Sequence, residues 1–267
     1  MVCWMRQTLY LRDELAEAWG GRDVFSLLAE QQGDIFRDKE GRRTLRFELN
    51  DRSYFLKYHA GVGWGEIIKN LLQFRRPIIS ARNEWQAIER LHQLGIGTMQ
   101  LAGYGERGWN PARRISFVIT DELTHTMSLE ELGSQWRQYP PDFGTKLTLL
   151  NKIADISRKM HQAGLNHRDY YLCHFLLTQD FARTNQADAS TELFLIDLHR
   201  ARQWNQVPER WLIKDLGSLF FSAHMVPLTQ RDKWRFMRSY SGKSLRETLR
   251  HSSPFWEGVE QRAQALL

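Results

Sequence analysis

The feature that most constrains this chain is a long amphipathic helix pattern that stops at a glycine and runs straight into His167-Arg168-Asp169. In LTLLNKIADISRKMHQAG the apolar Leu147, Leu150, Ile153, Ala154 and Met160 share one face at helical spacing, and Gly164 supplies the stop. After the tripeptide come an apolar run, YYLCHFLL, a polar loop, TQDFARTNQADASTE, and a short apolar strand, LFLI. That strand ends on Asp197, 28 residues beyond Asp169. Two carboxylates are thereby fixed at the ends of apolar elements, in a half of the chain that continues as helices through RWLIKDLGSLFFSA and LTQRDKWRFMRSY.

The preceding half reads differently. DIFRD, TLRFEL and SYFLKYH are strands, the first two joined at KEG and the last two across Asn50-Asp51, with Leu45, Phe47 and Leu49 alternating at period two. NEWQAIERLHQLG carries Trp85, Ile88, Leu91 and Leu94 at helical spacing and ends at Gly95. RISFVIT is a buried strand leading into Asp121-Glu122-Leu123. Residues 9–30 read as one amphipathic helix, or two short ones interrupted by Gly20-Gly21. The stretch GVGWGEIIKNLLQFRRPIISARN reads as an insertion or mobile segment, in which the glycine-flanked Trp64 suits a lid, a membrane or a partner contact. The expectation is an α+β chain in three segments: a helical lead-in over 1–33, a mostly β lobe with one key helix over 34–122, and a mostly α lobe over 123–267. At 267 residues, one two-lobed unit is the natural size.

The order helix, His-Arg-Asp, strand, strand-Asp matches the catalytic loop and metal-binding strand of protein-kinase-like enzymes. Phosphoryl transfer explains the residue types. One carboxylate accepts the hydroxyl proton, a second holds Mg²⁺ against the nucleotide phosphates, and positive charge neutralises them. Asp169 fits the first role and Asp197 the second. Lys57, in the third predicted strand, stands where the kinase strand lysine does, and Glu84 opens the next helix 27 residues on, so an ion pair between them is expected. Backbone groups around Thr120, Glu122 and Leu123 fall where a kinase hinge holds adenine. Alone, Lys57 reads as a solvated strand lysine and Glu84 as a residue favoured by the helix dipole; the His-Arg-Asp context favours the pair.

The segments EGRRTLRFEL, YFLKYHAGVGWGEIIKNLL, EWQAIERL, AGYGERG, NHRDYYLCHFLL, LIDLHRA, RWLIKDL and LTQRDKWRFM cover nearly the whole chain. Through them it resembles the lipopolysaccharide core heptose kinase family of the protein-kinase-like superfamily. The resemblance implies a bilobal protein-kinase-like fold. It also implies ATP- and Mg²⁺-dependent phosphorylation of the first heptose of the inner core, at the cytoplasmic face of the inner membrane, and an association with acyl carrier protein.

Departures from ordinary kinases bear on the site. Five residues after Asp169, where an asparagine usually holds a second metal, stands His174, a weaker magnesium ligand than an oxygen donor. Tyr171 replaces a lysine, Asp197 is followed by Leu198-His199, and the first hairpin has only Gly41, leaving Arg42 or Arg43 to contact phosphate. Arg200, Arg202 and Lys214, with Arg168 and Tyr171 on the catalytic loop, are candidates for the acceptor's carboxylate or phosphate groups. Asp215, within a helix whose Leu212, Leu216, Leu219 and Phe220 form an apolar face, is expected to support the loop rather than react.

Lys and Arg number 37 against 31 Asp and Glu, a net +6 that suits an anionic partner. No basic–aromatic strand motif or recognition helix marks a nucleic-acid binder. Cys3 and Cys173 are too few for a disulfide framework, and charged residues interrupt the N-terminal segment too early for a secretory signal, so a cytoplasmic protein is expected, to which the family resemblance adds a peripheral place at the inner membrane. Two other readings fit these residues. One is a kinase of the same fold acting on another sugar, a small molecule or a protein. The other is a non-catalytic pseudokinase scaffold, favoured by His174 and the missing glycine-rich loop and opposed by Asp169, Asp197 and Lys57.

Overall fold

In a computed structural model, residues 7–39, 41–73, 77–178, 181 and 186–267 are described. Cys3, Glu40 of the first hairpin and part of the polar loop before Asp197 lie outside them. By internal contact the chain divides into two compact units, Met1–Ile88 with Met99–Leu123 and Glu89–Thr98 with Thr124–Leu267.

The first unit is built on six antiparallel strands. In chain order these are β1 (Gln7–Leu11), β2 (Asp34–Lys39), β3 (Arg42–Leu49), β4 (Arg52–His59), β5 (Leu101–Arg107) and β6 (Ile115–Asp121), arranged β1-β5-β6-β4-β3-β2. Helices α1 (Asp13–Trp19) and α2 (Val24–Ala29) contribute Leu15, Trp19, Phe25 and Leu28 to a core with Leu45, Phe47, Tyr54, Leu56, Phe117 and Ile119 of the sheet. The alternation seen in the sequence is that core face. Gly105 of β5 is required there, since a Cβ would meet the Phe117 ring at 2.7 Å and that of Phe25 at 2.9 Å.

Two sequence expectations are corrected. The helical reading of residues 9–30 holds from Asp13 onward, but residues 9–11 belong to β1, which pairs with β5 from Gln7↔Arg107 to Leu11↔Gly103. That partner lies too far along the chain for local periodicity to reveal it. The glycine-rich insertion is not irregular at its start: Gly63–Leu72 form a helix, α3. The expected helix around Glu84 is α4 (Arg82–Gln93), with Trp85 stacked on Tyr104 of β5 at 4.8 Å.

Beyond Glu89–Thr98, the second unit holds β7 (Thr126–Ser128), α5 (Leu129–Gln135) and the long α6 (Phe143–Gln162), capped by Asp142 accepting from the Thr145 N–H. Short strands β8 (Leu165–Asn166), β9 (Phe175–Thr178), β10 (Phe194–Leu195) and β11 (Arg202–Gln203) hold the loops of the site, with β8 paired to β11 and β9 lying between β10 and β7. Helices α7 (Glu209–Ser222), α8 (Gln230–Ser241), α9 (Leu245–His251) and α10 (Ser253–Gln264) complete it. A cavity of about 540 Å³ in this unit is lined chiefly by apolar side chains, among them Leu132, Trp136, Leu149, Leu150, Phe220 and Phe236. No helix among the described residues is long and apolar enough to cross a membrane.

Asp232, in the first turn of α8, ties that helix to α6. It forms a capping box with Thr229 and accepts from Lys146 Nζ at 2.8 Å while nearly fully buried. Burial alone would raise its pKa, but the hydrogen bonds from Lys146 and Thr229 outweigh burial and hold it at about 2, below the ordinary 3.8. A carboxyl depressed in the folded state stabilises fully above its unfolded pKa and loses that contribution as pH falls from about 4 to about 2. Urea denaturation between pH 5 and pH 2 should show wild type losing on the order of 2 kcal/mol more than Asp232→Asn.

Candidate active site

After α6, Gly164 turns the chain at φ 81° into β8, and Asn166 is paired with Arg202 of β11. His167 follows, fully buried. Its Nε2–H donates to the Ile196 carbonyl at 2.9 Å, and its Nδ1 accepts from the Asp169 N–H at 3.3 Å. That pattern requires the neutral ring, and burial, the largest influence, lowers the ring's pKa.

Arg168 has φ 75° and Asp197 φ 60°, both in the left-handed region that side chains other than glycine occupy at a cost of about 1–2 kcal/mol. The first is held by Asp215 of α7, whose carboxylate, wholly buried, accepts from the His167 N–H at 2.7 Å and the Arg168 N–H at 2.8 Å. Its supporting role, expected from the helix face, is therefore a pair of backbone hydrogen bonds. The ring of His161, in α6, lies 3.3 Å from the same carboxylate.

Asp169 Oδ1 accepts from Arg200 Nη1 at 2.8 Å. Its backbone carbonyl accepts from Nδ1 of His174 at 2.7 Å, and Nε2 of that ring lies 3.7 Å from Asp197 Oδ2. One imidazole therefore spans the segments carrying the two carboxylates. Burial works against charge on His174, but hydrogen bonds to the Cys173 side chain and the Asp169 carbonyl, with Cys173 and Asp197 as nearby charges, more than offset it and push the ring up to about 9. Asp197 Oδ1 is 2.7 Å from Nδ1 of His199, a residue sequence reasoning passed over. Its only signal was an imidazole two positions after a predicted metal ligand. Tyr171 lies with its ring edge-on to His174 and Phe221.

Arg168, Arg202 and Lys214 of the predicted basic set, joined by Arg210, lie at two indoles that the sequence reading also missed. Arg168, Arg210 and Lys214 lie over Trp211 at 4.9, 5.5 and 5.4 Å, and Arg202 lies over Trp204 at 3.6 Å. Burial, then repulsion from Arg200 and Arg168, lowers the pKa of Lys214; burial, then Arg200, lowers that of Arg168. These cations repel one another more than Asp169 and Asp215 compensate, which favours a further anion among them. A cation placed next to Trp in the sequence was the available signal.

In the first unit Lys57 Nζ meets Glu84 Oε1 at 2.6 Å, with Glu84 buried. The register pairs Thr44 with Lys57 and Lys57 with Val118, which puts Lys57 on the sheet face opposite the core of α1 and α2, with Thr120 two residues from Val118 on the same face. Glu122 donates its backbone N–H to Ser53 and places its carboxylate 3.6 Å from Arg46, and Leu123 ends the unit. Arg43 is corrected. It pairs with Tyr58, projects to the face opposite Lys57 and donates to the Ala29 carbonyl at 3.3 Å. Arg42 shares the face of Lys57 and donates to the Ile78 carbonyl at 2.8 Å.

Among the described residues no cluster of three or more His, Cys, Asp or Glu side chains is grouped to hold a metal. A single carboxylate such as Asp197 nevertheless fits Mg²⁺, which takes one or two protein carboxylates and completes its shell with phosphate oxygens and water.

The chain matches the family model "Lipopolysaccharide kinase (Kdo/WaaP) family" over residues 27–240. It is 47% identical over 258 residues to a Pseudomonas aeruginosa protein named lipopolysaccharide core heptose(I) kinase WaaP, covering 97% of this chain and 95% of that one. It is 49% identical over 239 residues to the Escherichia coli K12 protein of the same name, covering 90% and 89%. A solved structure titled "WaaP in complex with acyl carrier protein" superposes with a TM-score of 0.83 at 41% identity, over 97% of this chain and 99% of that one. The mixed fold, an antiparallel-sheet unit and a helical unit, is protein-kinase-like, and the chain belongs to the lipopolysaccharide kinase (Kdo/WaaP) family.

Proposed function

We propose that this chain transfers the γ-phosphate of ATP to a hydroxyl of the first heptose of the lipopolysaccharide inner core. The observation that carries the reading is the single imidazole of His174 reaching both the Asp169 carbonyl and the Asp197 carboxylate, which ties together the two segments whose carboxylates suit the roles of base and metal ligand. Asp169 takes the proton of the acceptor hydroxyl as its oxygen bonds to the γ-phosphorus and the bond to the β-phosphate oxygen breaks, releasing ADP. Arg200, donating to Asp169 Oδ1, aims the carboxylate. Asp197 would hold Mg²⁺, which would supply positive charge against the nucleotide phosphates. His199 holds one oxygen of Asp197 and so orients the other. The geometry favours His174 as a brace between the two segments rather than as a ligand, since its Nδ1 is engaged by the Asp169 carbonyl.

Lys57, aimed by Glu84, pairs with the α/β-phosphates, and backbone groups from Thr120 to Leu123 receive the adenine. The cations over Trp204 and Trp211 take an anionic group of the acceptor. Tyr171 lies beside them on the catalytic loop. The kinase acts in the cytoplasm, peripheral to the inner membrane that carries its acceptor. The relative solved with acyl carrier protein supports a carrier-protein partner here as well, and the apolar cavity of the helical unit suits an acyl chain such a partner bears. Co-elution of the full chain with purified acyl-loaded carrier protein in size-exclusion chromatography is the expected result.

Purified chain incubated with ATP, Mg²⁺ and dephosphorylated core lipopolysaccharide should add one phosphate to the first heptose, read by mass spectrometry. Asp169→Asn should lower kcat by about 10³ or more with the melting temperature unchanged. No incorporation, or full activity in Asp169→Ala, would overturn the reading. In the same assay Lys57→Ala should raise the KM for ATP roughly 10–100-fold while leaving that for the acceptor near wild type.

A further inference from the structure

Helix α3 is turned inside out. In a helix packed on a protein the apolar stripe faces the core and the polar side faces water. Here Trp64, Ile68, Leu71 and Leu72, at positions i, i+4, i+7 and i+8, form one stripe and are 54%, 51%, 55% and 76% exposed. Only Ile67, at 6%, is buried, and it shares the inward side with the half-buried Glu66 and Asn70, joined by a hydrogen bond of 2.7 Å. Four large apolar side chains on one short helix make a contiguous patch of a kind that soluble surfaces rarely leave uncovered.

The chemistry around the stripe selects what covers it. The charged side chain beside it is Lys69, 62% exposed and only loosely paired with Glu66 at 3.5 Å. From Ile67 to Ala81 the sequence contains no aspartate or glutamate and carries Lys69, Arg75 and Arg76. An apolar stripe led by a tryptophan, with Lys69 beside it and a basic sequence following, is the composition of a helix lying in the interface of an anionic bilayer, its indole at headgroup level.

We infer that α3 is a membrane-docking helix, seating its Trp64–Ile68–Leu71–Leu72 stripe in the surface of a bilayer rich in anionic lipid. This rests on the reading of the acceptor as a membrane glycolipid and names the element that brings the chain to it. Docking concentrates the enzyme where its acceptor is. The half-polar seat of α3 on the protein leaves the stripe free to insert without unfolding a packed core.

The test is flotation of the full chain with two sets of vesicles, one phosphatidylethanolamine with phosphatidylglycerol and one phosphatidylcholine alone. Wild type should bind the anionic vesicles about tenfold or more tightly than the neutral ones, and Ile68→Glu with Leu71→Glu should weaken that binding at least about tenfold. Because both side chains are exposed, the double variant should keep the wild-type melting temperature and its rate on a delipidated core oligosaccharide, while losing activity on the same acceptor presented in vesicles. Lys69→Glu should weaken binding at low salt more than at high salt. Absence of wild-type flotation, or undiminished flotation of the double variant, overturns the inference. So does a wild-type dimer in sedimentation that the double variant converts to monomer, or carrier-protein binding lost in that variant while flotation persists. Flotation that depends on α3 in a protein unable to phosphorylate core lipopolysaccharide would leave the docking helix standing and refute the acceptor.

Discussion

The buried carboxylate of Asp215 is the interaction on which the catalytic half of the molecule depends. It accepts the N–H groups of His167 and Arg168 at 2.7 and 2.8 Å, at the point where the chain enters the left-handed conformation of Arg168. Two consecutive buried donors without acceptors would cost about 1–3 kcal/mol each, and a left-handed arginine adds its own strain. A carboxylate delivered by a rigid helix removes the first cost and holds the second in place. The turn that results is what presents Asp169.

From that anchor the rest of the site follows by contact. The neutral ring of His167 joins the Asp169 amide to the carbonyl of Ile196, the residue before Asp197, which ties the loop to the strand that ends on Asp197. His174 makes a second tie between them. Pairing of β8 with β11 brings Arg202 beside the loop, and the short turn before β11 supplies Arg200 to Asp169. In the sheet unit the same economy sets Lys57 on Glu84, a buried acceptor that keeps the ammonium in one position.

Local patterns made much of this legible in the sequence. A periodic helix ending in glycine, an apolar strand ending in aspartate and alternating strands are written within a few residues of themselves, and they marked α6, Asp169, Asp197, Lys57 and Asp215. What the sequence hid depends on pairing between distant segments. Strand β1 exists because β5 lies beside it, a partner about a hundred positions away at Gln7↔Arg107. The sequence left Arg42 and Arg43 as alternatives for phosphate, and the β3–β4 register decides which arginine shares the face of Lys57, since neighbouring residues of a strand project to opposite faces. His199 gains meaning only once the left-handed turn at Asp197 folds its ring back onto the carboxylate. The stripe of α3 was visible as composition, but its outward direction was not.

Amide hydrogen exchange resolved at His167, Arg168 and Asp169, measured beside phosphate transfer in wild type and Asp215→Ala, tests directly whether this carboxylate builds the site. The expected result is slow exchange at His167 and Arg168 in wild type and exchange faster by about 100-fold in the variant. Transfer should fall by a comparable factor while ATP affinity stays near wild type. Protected amides together with undiminished transfer in Asp215→Ala would contradict it.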